Sequence, residues 1–331
     1  MRITNNSVYN SYQDSLNELQ TRLYNNQMKI ATGKDINSLS DNPTGVVKVK
    51  QYQELISRNS QYSDNISNSL NDLQASNDAL ENVATNLQNI NQLGIDSFQA
   101  GNTGNLPALA NELKGYLDDI VNSMNSDFNG ELLFSGTKTN KQSIINDNPG
   151  TNGNPYEIIQ GTASATNPSG LQVVFRGNTN DRIIHTDKDT SESINVKTND
   201  IFGTNGTQVF DSAINMYNTL MYNSDGTKRS DKDILTADDR TKLNTYQQEI
   251  NGYYTSVNNT LGKVGSKMNR LQSEKDQFDN EKIRLDSNKS QIEDVDIASA
   301  TINLTKDQTA MQYSLQIGSK LMSNSLFDFI K

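Results

Sequence analysis

The sequence predicts a mainly α-helical protein: an elongated helical bundle, or coiled-coil rod, formed by the N- and C-terminal segments, with a small inserted β domain. Apolar residues recur at alternating steps of four and three residues near both ends of the chain. A glycine- and asparagine-rich stretch of different character separates these ends. A repeat averaging 3.5 residues lays a narrow apolar stripe along a helix, and that stripe must be buried against other helices.

The first part of the chain is typical of three helices. The first covers residues 1 to about 33 and ends at Gly33, because glycine readily adopts the left-handed conformation that ends a helix. A long second helix begins at Pro43, after polar residues that can cap its first turn. A turn at 101–105 precedes a third helix over 106–124. Three polar residues are expected to interrupt the seam of the second helix: Asn59, Ser63 and Asn77.

The period changes after about residue 129. Four segments read as strands bounded by turn-forming residues: 131–136, 171–177, 182–185 and 193–196. We therefore expect a small β domain over 135–200. Both of its boundaries fall in turn-rich segments, so its removal is expected to leave the helices folded.

Helical periodicity returns after the β segments. A helix is expected near 209–222, and a long return helix starts at a capping box formed by Thr236 and Asp239. An interruption near 293–296 precedes the last helix.

These elements predict three regions. Residues 1–42 and 293–331 form a terminal helical coiled-coil assembly domain, residues 43–134 and 201–292 a helical rod domain, and residues 135–200 the outer β domain. The rod helices can bury their stripes against each other, whereas two terminal helices alone make a poor core. We therefore expect the terminal stripes to pack against copies of this chain or another partner. The predicted assembly seam comprises Leu16, Leu19, Leu23, Ile30, Leu304, Met311, Leu315, Met322, Leu326 and Phe329.

Composition argues against several function classes. Only 33% of the residues are hydrophobic, below the usual 45–50% or so, which suits a long thin bundle. A formal net charge of −10 argues against nucleic-acid and anionic-membrane surfaces. The absence of cysteine excludes disulfides and thiolate sites. No apolar run reaches the roughly 20 residues of a membrane span, and the first residues lack a Sec-type signal.

No constellation of residues predicts catalysis, a cofactor or a metal. His185, the single histidine, lies in a predicted strand without an acid–base partner nearby in the sequence. The segment 223–226 lacks the further acidic ligands of a calcium loop and is expected to be a turn. The carboxylates at 238–239 and 293–296 suit helix termini. We therefore predict that the chain is not an enzyme.

Several segments resemble a known family. Residues 1–5 and 31–45 are similar to the N-terminal signature of the bacterial flagellin superfamily, and 262–265, 292–298 and 326–330 are similar to its C-terminal region. Pro43 stands where flagellins usually have alanine. That proline, the segment 133–137, and 175–177 leading to 200–203 are most similar to the subfamily of hook-associated protein 3, the hook–filament junction protein.

The resemblance implies a structural subunit that joins the hook to the flagellin filament and assembles through its terminal helices. It implies partners: copies of the same chain in a ring or layer, hook-associated protein 1, flagellin, and a flagellar export chaperone before secretion. It also implies export through the flagellar type III apparatus to an extracellular place in the flagellum. Two alternatives are a flagellin that forms the filament itself, and a ligand-binding or enzymatic domain on a helical stalk.

Overall fold

A computed structural model describes residues 5–100 and 104–329, with the side chains of 7–100 and 104–320. The described part contains helices α1 (Asn5–Thr32), α2 (Pro43–Ala100), α3 (Leu106–Met124), α4 (Lys141–Asp147), α5 (Thr198–Phe202), α6 (Gln208–Met221), α7 (Ala237–Glu293) and α8 (Ile297–Phe329). Its strands are β1 (Asp127–Phe128), β2 (Glu131–Leu132), β3 (Tyr156–Gln160), β4 (Leu171–Phe175), β5 (Ile183–His185) and β6 (Ser191–Ser193). The strands form three antiparallel pairs, β1–β2, β3–β4 and β5–β6. The predicted mainly-α class with a small β insertion is confirmed.

Backbone contacts divide the chain into two units. Unit 1 comprises Met1–Gln61 and Phe278–Lys331, and unit 2 comprises Tyr62–Gln277. Helices α2 and α7 therefore contribute to both units. The division into terminal, rod and β domains that the sequence suggests remains a prediction.

Heptad spacing is visible in the long helices of unit 2. Both α2 and α7 bury apolar residues at intervals of seven, as the 3.5-residue repeat predicts. The fully or almost fully buried members are Ile66, Leu73, Leu80 and Leu87 in α2, and Ile250, Val257, Val264 and Leu271 in α7.

The polar positions of the α2 seam differ in part from the prediction. Asn59 and Ser63 are buried as expected. Asn77 is not, and its amide donates to the carboxylate of Glu81 at 2.8 Å on the exposed side. The second row of the heptad instead places Ser76 in the core, one residue before Asn77, where its hydroxyl donates to the backbone carbonyl of Asp72 at 2.8 Å. That bond satisfies the buried hydroxyl without a partner helix.

The strand predictions need three corrections. Residues 131–136 form only the short β2, because the chain bends from residue 133 and then turns at Gly136, whose φ is 68°. The strand expected at 193–196 is β6, shifted to 191–193, while Ile194 and Val196 enter the core. Strands β1 and β3 and helices α4 and α5 were not predicted. The sequence of β3 offers no clean alternation of apolar and polar residues, and its partner β4 lies ten residues further on.

The β segments share a core with the helices. Tyr156 of β3 is almost fully buried, with its ring centroid 4.9 Å from that of Phe175 and 5.4 Å from that of Phe210 in α6. Its hydroxyl donates to the carbonyl of Gly206 at 2.9 Å. The side chain of Asn125, after α3, accepts from the amide of Tyr156 at 2.8 Å. These contacts argue against the expectation that 135–200 can be removed without harm.

The capping box at the start of α7 is confirmed and belongs to a buried ion pair. The amide of Thr236 donates to Asp239 at 2.9 Å, and the amide of Asp239 donates to the Thr236 hydroxyl at 3.1 Å. The guanidinium of Arg229, buried in the preceding loop, lies 2.7 Å from the Asp239 carboxylate. Arg229 also donates to the carbonyls of Tyr222 and Ile234, at 3.0 and 3.1 Å. One side chain thereby fixes the connection between α6 and α7.

Candidate assembly surface

Helices α1 and α8 form an antiparallel pair in unit 1. The Tyr12 hydroxyl donates to the carbonyl of Ser314 at 2.9 Å. Near the other end of the pair, Val295 donates its amide to the carbonyl of Gly33 at 3.0 Å. Residues that come later in α1 therefore lie beside residues that come earlier in α8. The sequence analysis placed both helices in one terminal domain and expected their stripes to need further partners, because two helices alone make a poor core. The structure pairs them with each other.

A buried carboxylate lies at the centre of this pair. Asp307 of α8 is only 2% exposed. It accepts hydrogen bonds from the guanidinium of Arg22 and, at 2.7 Å, from the amide of Asn26, both on α1. Burying a carboxylate is costly unless it is paired and hydrogen-bonded, so these two donors fix the register of α1 on α8.

A close approach of the two helices requires a glycine. Gly318 of α8 is buried, and a Cβ atom at this position would lie 2.2 Å from the hydroxyl oxygen of Tyr12. Any side chain here would push Tyr12 away from its bond to Ser314.

The predicted seam residues with described side chains differ in burial. Leu19 is buried. Leu315 is 54% exposed. Met322, Leu326 and Phe329 belong to α8, but their side chains lie outside the described ones. The half-buried members are Leu16, Leu23, Ile30, Leu304 and Met311. The seam's role in contacts between copies remains a prediction.

A second apolar face of α8 was missed. Ile302, Tyr313 and Ile317 are 56%, 61% and 55% exposed, and they lie on the side of the helix opposite Asp307 and Gly318. Thr305, Thr309 and Ala310 line a shallow groove of about 560 Å³ with the first two. Positions 302, 306, 309, 313 and 317 follow a helical period, so the sequence indicated this stripe beside the heptad seam, although Lys306 lies within it. We call Ile302, Thr305, Thr309, Tyr313 and Ile317 the outer face of α8.

Charge is divided unevenly between the units. Unit 1 contains 13 basic and 13 acidic residues, whereas unit 2 contains 16 basic and 26 acidic residues. The whole net charge of −10 therefore lies on unit 2. Copies of unit 1 can approach each other without net repulsion.

The described residues contain no group of three or more histidine, cysteine, aspartate or glutamate side chains that could hold a metal ion. His185 is exposed in β5, and its Nδ1 lies 3.0 Å from the Ser191 hydroxyl, as suits a surface strand. Residues 223–226 form a turn, in which the Asp225 carboxylate accepts from the amide of Thr227 at 2.9 Å. No described helix is long and apolar enough to cross a membrane.

Comparison with known proteins identifies relatives of both ends of the chain. The bacterial flagellin N-terminal helical region matches residues 3–139, and the bacterial flagellin C-terminal helical region matches residues 247–330. Flagellin 1 of Proteus mirabilis is 28% identical over 129 residues, which span 38% of this chain and 35% of that flagellin. The chain thus aligns with little more than a third of that relative.

Solved structures of flagellar proteins share the fold. A flagellar hook-associated protein from Vibrio parahaemolyticus is 21% identical, with a TM-score of 0.59 over 77% of this chain and 100% of the other. Flagellar hook-associated protein 3 from Legionella pneumophila is 13% identical, with a TM-score of 0.56 over 75% of this chain and 98% of the other. At these identities the likeness establishes the fold.

Proposed function

Since the chain belongs to the bacterial flagellin family, we propose that it is a structural subunit of the flagellum that joins the hook to the flagellin filament. The two family regions together match about two thirds of the chain. The hook-associated proteins of similar fold, Pro43, and the segment 133–137 favour the junction over the filament.

The observation that carries the proposal is that α8 has two apolar faces, while α1 covers one of them among the residues that the structure describes. One face packs on α1 through Asp307 and Gly318. The outer face is solvent-exposed in the single chain, although a helix that is apolar on opposite sides normally has neighbours on both. A subunit that is completed only by other subunits has this arrangement.

The proposed partners follow from the family. Copies of the chain cover the outer face of α8 and the exposed part of the seam at Leu315, and hook-associated protein 1 and flagellin flank the layer. A flagellar export chaperone holds the same helix before secretion through the flagellar type III apparatus. An apolar helix of this kind would otherwise aggregate while the chain waits for export.

The proposal is tested by placing charge on the outer face. The double variant Ile302→Asp/Tyr313→Asp, expressed in a strain that lacks the gene, should fold normally yet leave cells without attached filaments, because buried unpaired carboxylates are costly. Ile183→Asp, at an exposed isoleucine in unit 2, is the matched control and should restore swimming. Normal filaments with the double variant would show that the outer face is not an assembly surface.

The second candidate function is the filament itself, which the match to a flagellin of Proteus mirabilis favours. Electron microscopy of the deletion strain separates the two. A junction subunit is indicated by lost filaments with flagellin released into the medium, and a flagellin by lost filaments without such release. An enzymatic domain on a stalk gains no support from a family of structural proteins.

A further inference from the structure

The two connections that leave the α1–α8 pair meet at one joint. Helix α1 ends at Thr32 and α7 at Glu293, and the residues that follow form a single antiparallel bridge between Lys34 and Asp294. Asp35 donates its amide to the carbonyl of Glu293 at 2.7 Å, and Val295 donates to the carbonyl of Gly33 at 3.0 Å. We define this joint as residues 33–35 and 293–295.

The helices on either side of the joint are held by their own contacts. Arg22, Asn26 and Asp307 fix α1 on α8. Beyond the joint, Ile36 is buried against Gly45 near the start of α2, where an added Cβ would lie 2.7 Å from the Ile36 side chain. Lys29 of α1 also lies 2.7 Å from the carboxylate of Asp35 in the joint, in an exposed ion pair. A change of angle at the joint therefore needs to break neither buried set of contacts.

One feature holds the joint closed, and a second offers room for another position. The Lys34 ammonium lies 2.5 Å from the Glu293 carboxylate and closes the joint through side chains. Beside it is a mainly apolar cavity of about 210 Å³, lined by Ile36, Leu39, Val46 and Val49 together with Asn37, Ser38 and Glu293. Leu39 is 65% exposed at the edge of this cavity, so its side chain could be buried more deeply there.

We propose that the joint is a two-position hinge of unit 1, latched by the Lys34–Glu293 ion pair, in which the α1–α8 pair turns as one body and Leu39 seats in the cavity in the second position. The hinge does not depend on which flagellar part the chain forms. It would let one chain present the outer face of α8 to two surfaces of different geometry.

The test measures two distances in the full chain by electron spin resonance. The chain has no cysteine, so labelled cysteines can be placed at will. The pair Gln20→Cys/Lys50→Cys reports α1 against α2, and the pair Gln20→Cys/Gln308→Cys reports α1 against α8; all three positions are exposed. Glu293→Gln opens the latch and also removes the 3.7 Å contact of Glu293 with Lys289, one turn earlier in α7. Glu281→Gln is the matched control, because it removes an exposed ion pair with Arg284 away from the joint.

With Glu293→Gln we expect a second distance for the first pair, an unchanged distance for the second pair, and no effect of Glu281→Gln on either. Adding Leu39→Ser should remove the second distance, because serine gains nothing from an apolar seat. An unchanged distribution in the first pair overturns the hinge. Broadening in both pairs overturns it as well, because the ion pair would then hold the helices together instead of setting their angle.

Discussion

At the scale of single residues, the guanidinium of Arg229 shows how a polar group becomes structural. It lies buried against Asp239 and donates to backbone carbonyls of the loop between α6 and α7. Replacing one partner of a buried pair leaves the other charge without compensation, at a cost of about 3–5 kcal/mol. Removing one partner of this ion pair therefore costs more stability than the intact pair contributes.

We predict that Arg229→Met lowers the free energy of unfolding by about 3–5 kcal/mol in denaturant titrations. Lys242→Met, which removes an exposed pair with Asp238 four residues away, should cost under about 0.5 kcal/mol. Equal effects of the two substitutions would contradict a structural role for the buried pair.

The same site predicts a dependence on pH. Burial alone would raise the pKa of Asp239, but hydrogen bonds from Thr236 and Arg229 outweigh burial and hold that pKa below its usual value. The stability from these bonds is therefore present above the unfolded-state pKa near 4 and is lost as the pH falls through the folded-state pKa. Unfolding measured from pH 6 to pH 3 should show a steeper loss for the natural chain than for Asp239→Asn. Parallel curves would refute this.

Glycines in two helices offer a matched pair of substitutions. Gly262 of α7 has open space around it, so Gly262→Ala should stabilise the chain by about 0.5–1 kcal/mol through helix propensity alone. Gly318→Ala gains the same helix propensity, but its added methyl group would collide with Tyr12. This substitution should therefore destabilise the α1–α8 pair. Hydrogen exchange of residues 10–20 measures that pair, and faster exchange only in Gly318→Ala is expected.

At the scale of elements, the sequence correctly predicted the helix ends and interruptions that local signals determine. Gly33 ends α1, Pro43 starts α2, and the chain is interrupted between Glu293 and Ile297, as expected. These signals are local, because a cap or a heptad is complete within one or two turns.

Elements that depend on distant partners were missed or misplaced. Strand β3 exists because β4 pairs with it and Phe210 covers Tyr156, and neither is adjacent in sequence. The outer face of α8 was overlooked because one seam was assigned to a helix that has apolar residues on two sides. The grouping of the two terminal helices in one domain was predicted, but the register of α1 on α8 depends on Asp307, which looks in the sequence like an ordinary surface acid.

The shared core makes a testable prediction about the insertion. Replacing 138–198 by a short flexible linker removes Tyr156 and exposes the face of Phe210 that it covers. We expect a loss of about 3–5 kcal/mol, comparable to truncating one large buried aromatic side chain, and a lower melting temperature of unit 2. Unchanged melting would show that α3 and α6 close the core without β3, as the turn-rich boundaries first suggested.

At the scale of the whole molecule, the separation of charge from apolar surface decides how copies interact. Unit 1 has no net charge and bears the outer face of α8, whereas unit 2 bears all ten excess negative charges. The segment 59–113 contains no lysine or arginine, and Asp64, Asp78 and Asp96 are exposed along α2 within it. Attraction between copies is therefore expected in one unit and repulsion in the other.

Salt should shift this balance toward assembly. Screening shortens the range of repulsion to about 10 Å at 0.1 M ionic strength, while apolar burial on α8 is not weakened. Light scattering of the purified chain should show association that strengthens as ionic strength rises. The triple variant Asp64→Asn/Asp78→Asn/Asp96→Asn should associate at lower salt, whereas Asp14→Asn/Glu18→Gln in unit 1 should bring no such gain, because it adds net charge to a neutral unit. Association that weakens with salt would instead mean that ion pairs between copies, and not the outer face of α8, hold the assembly together.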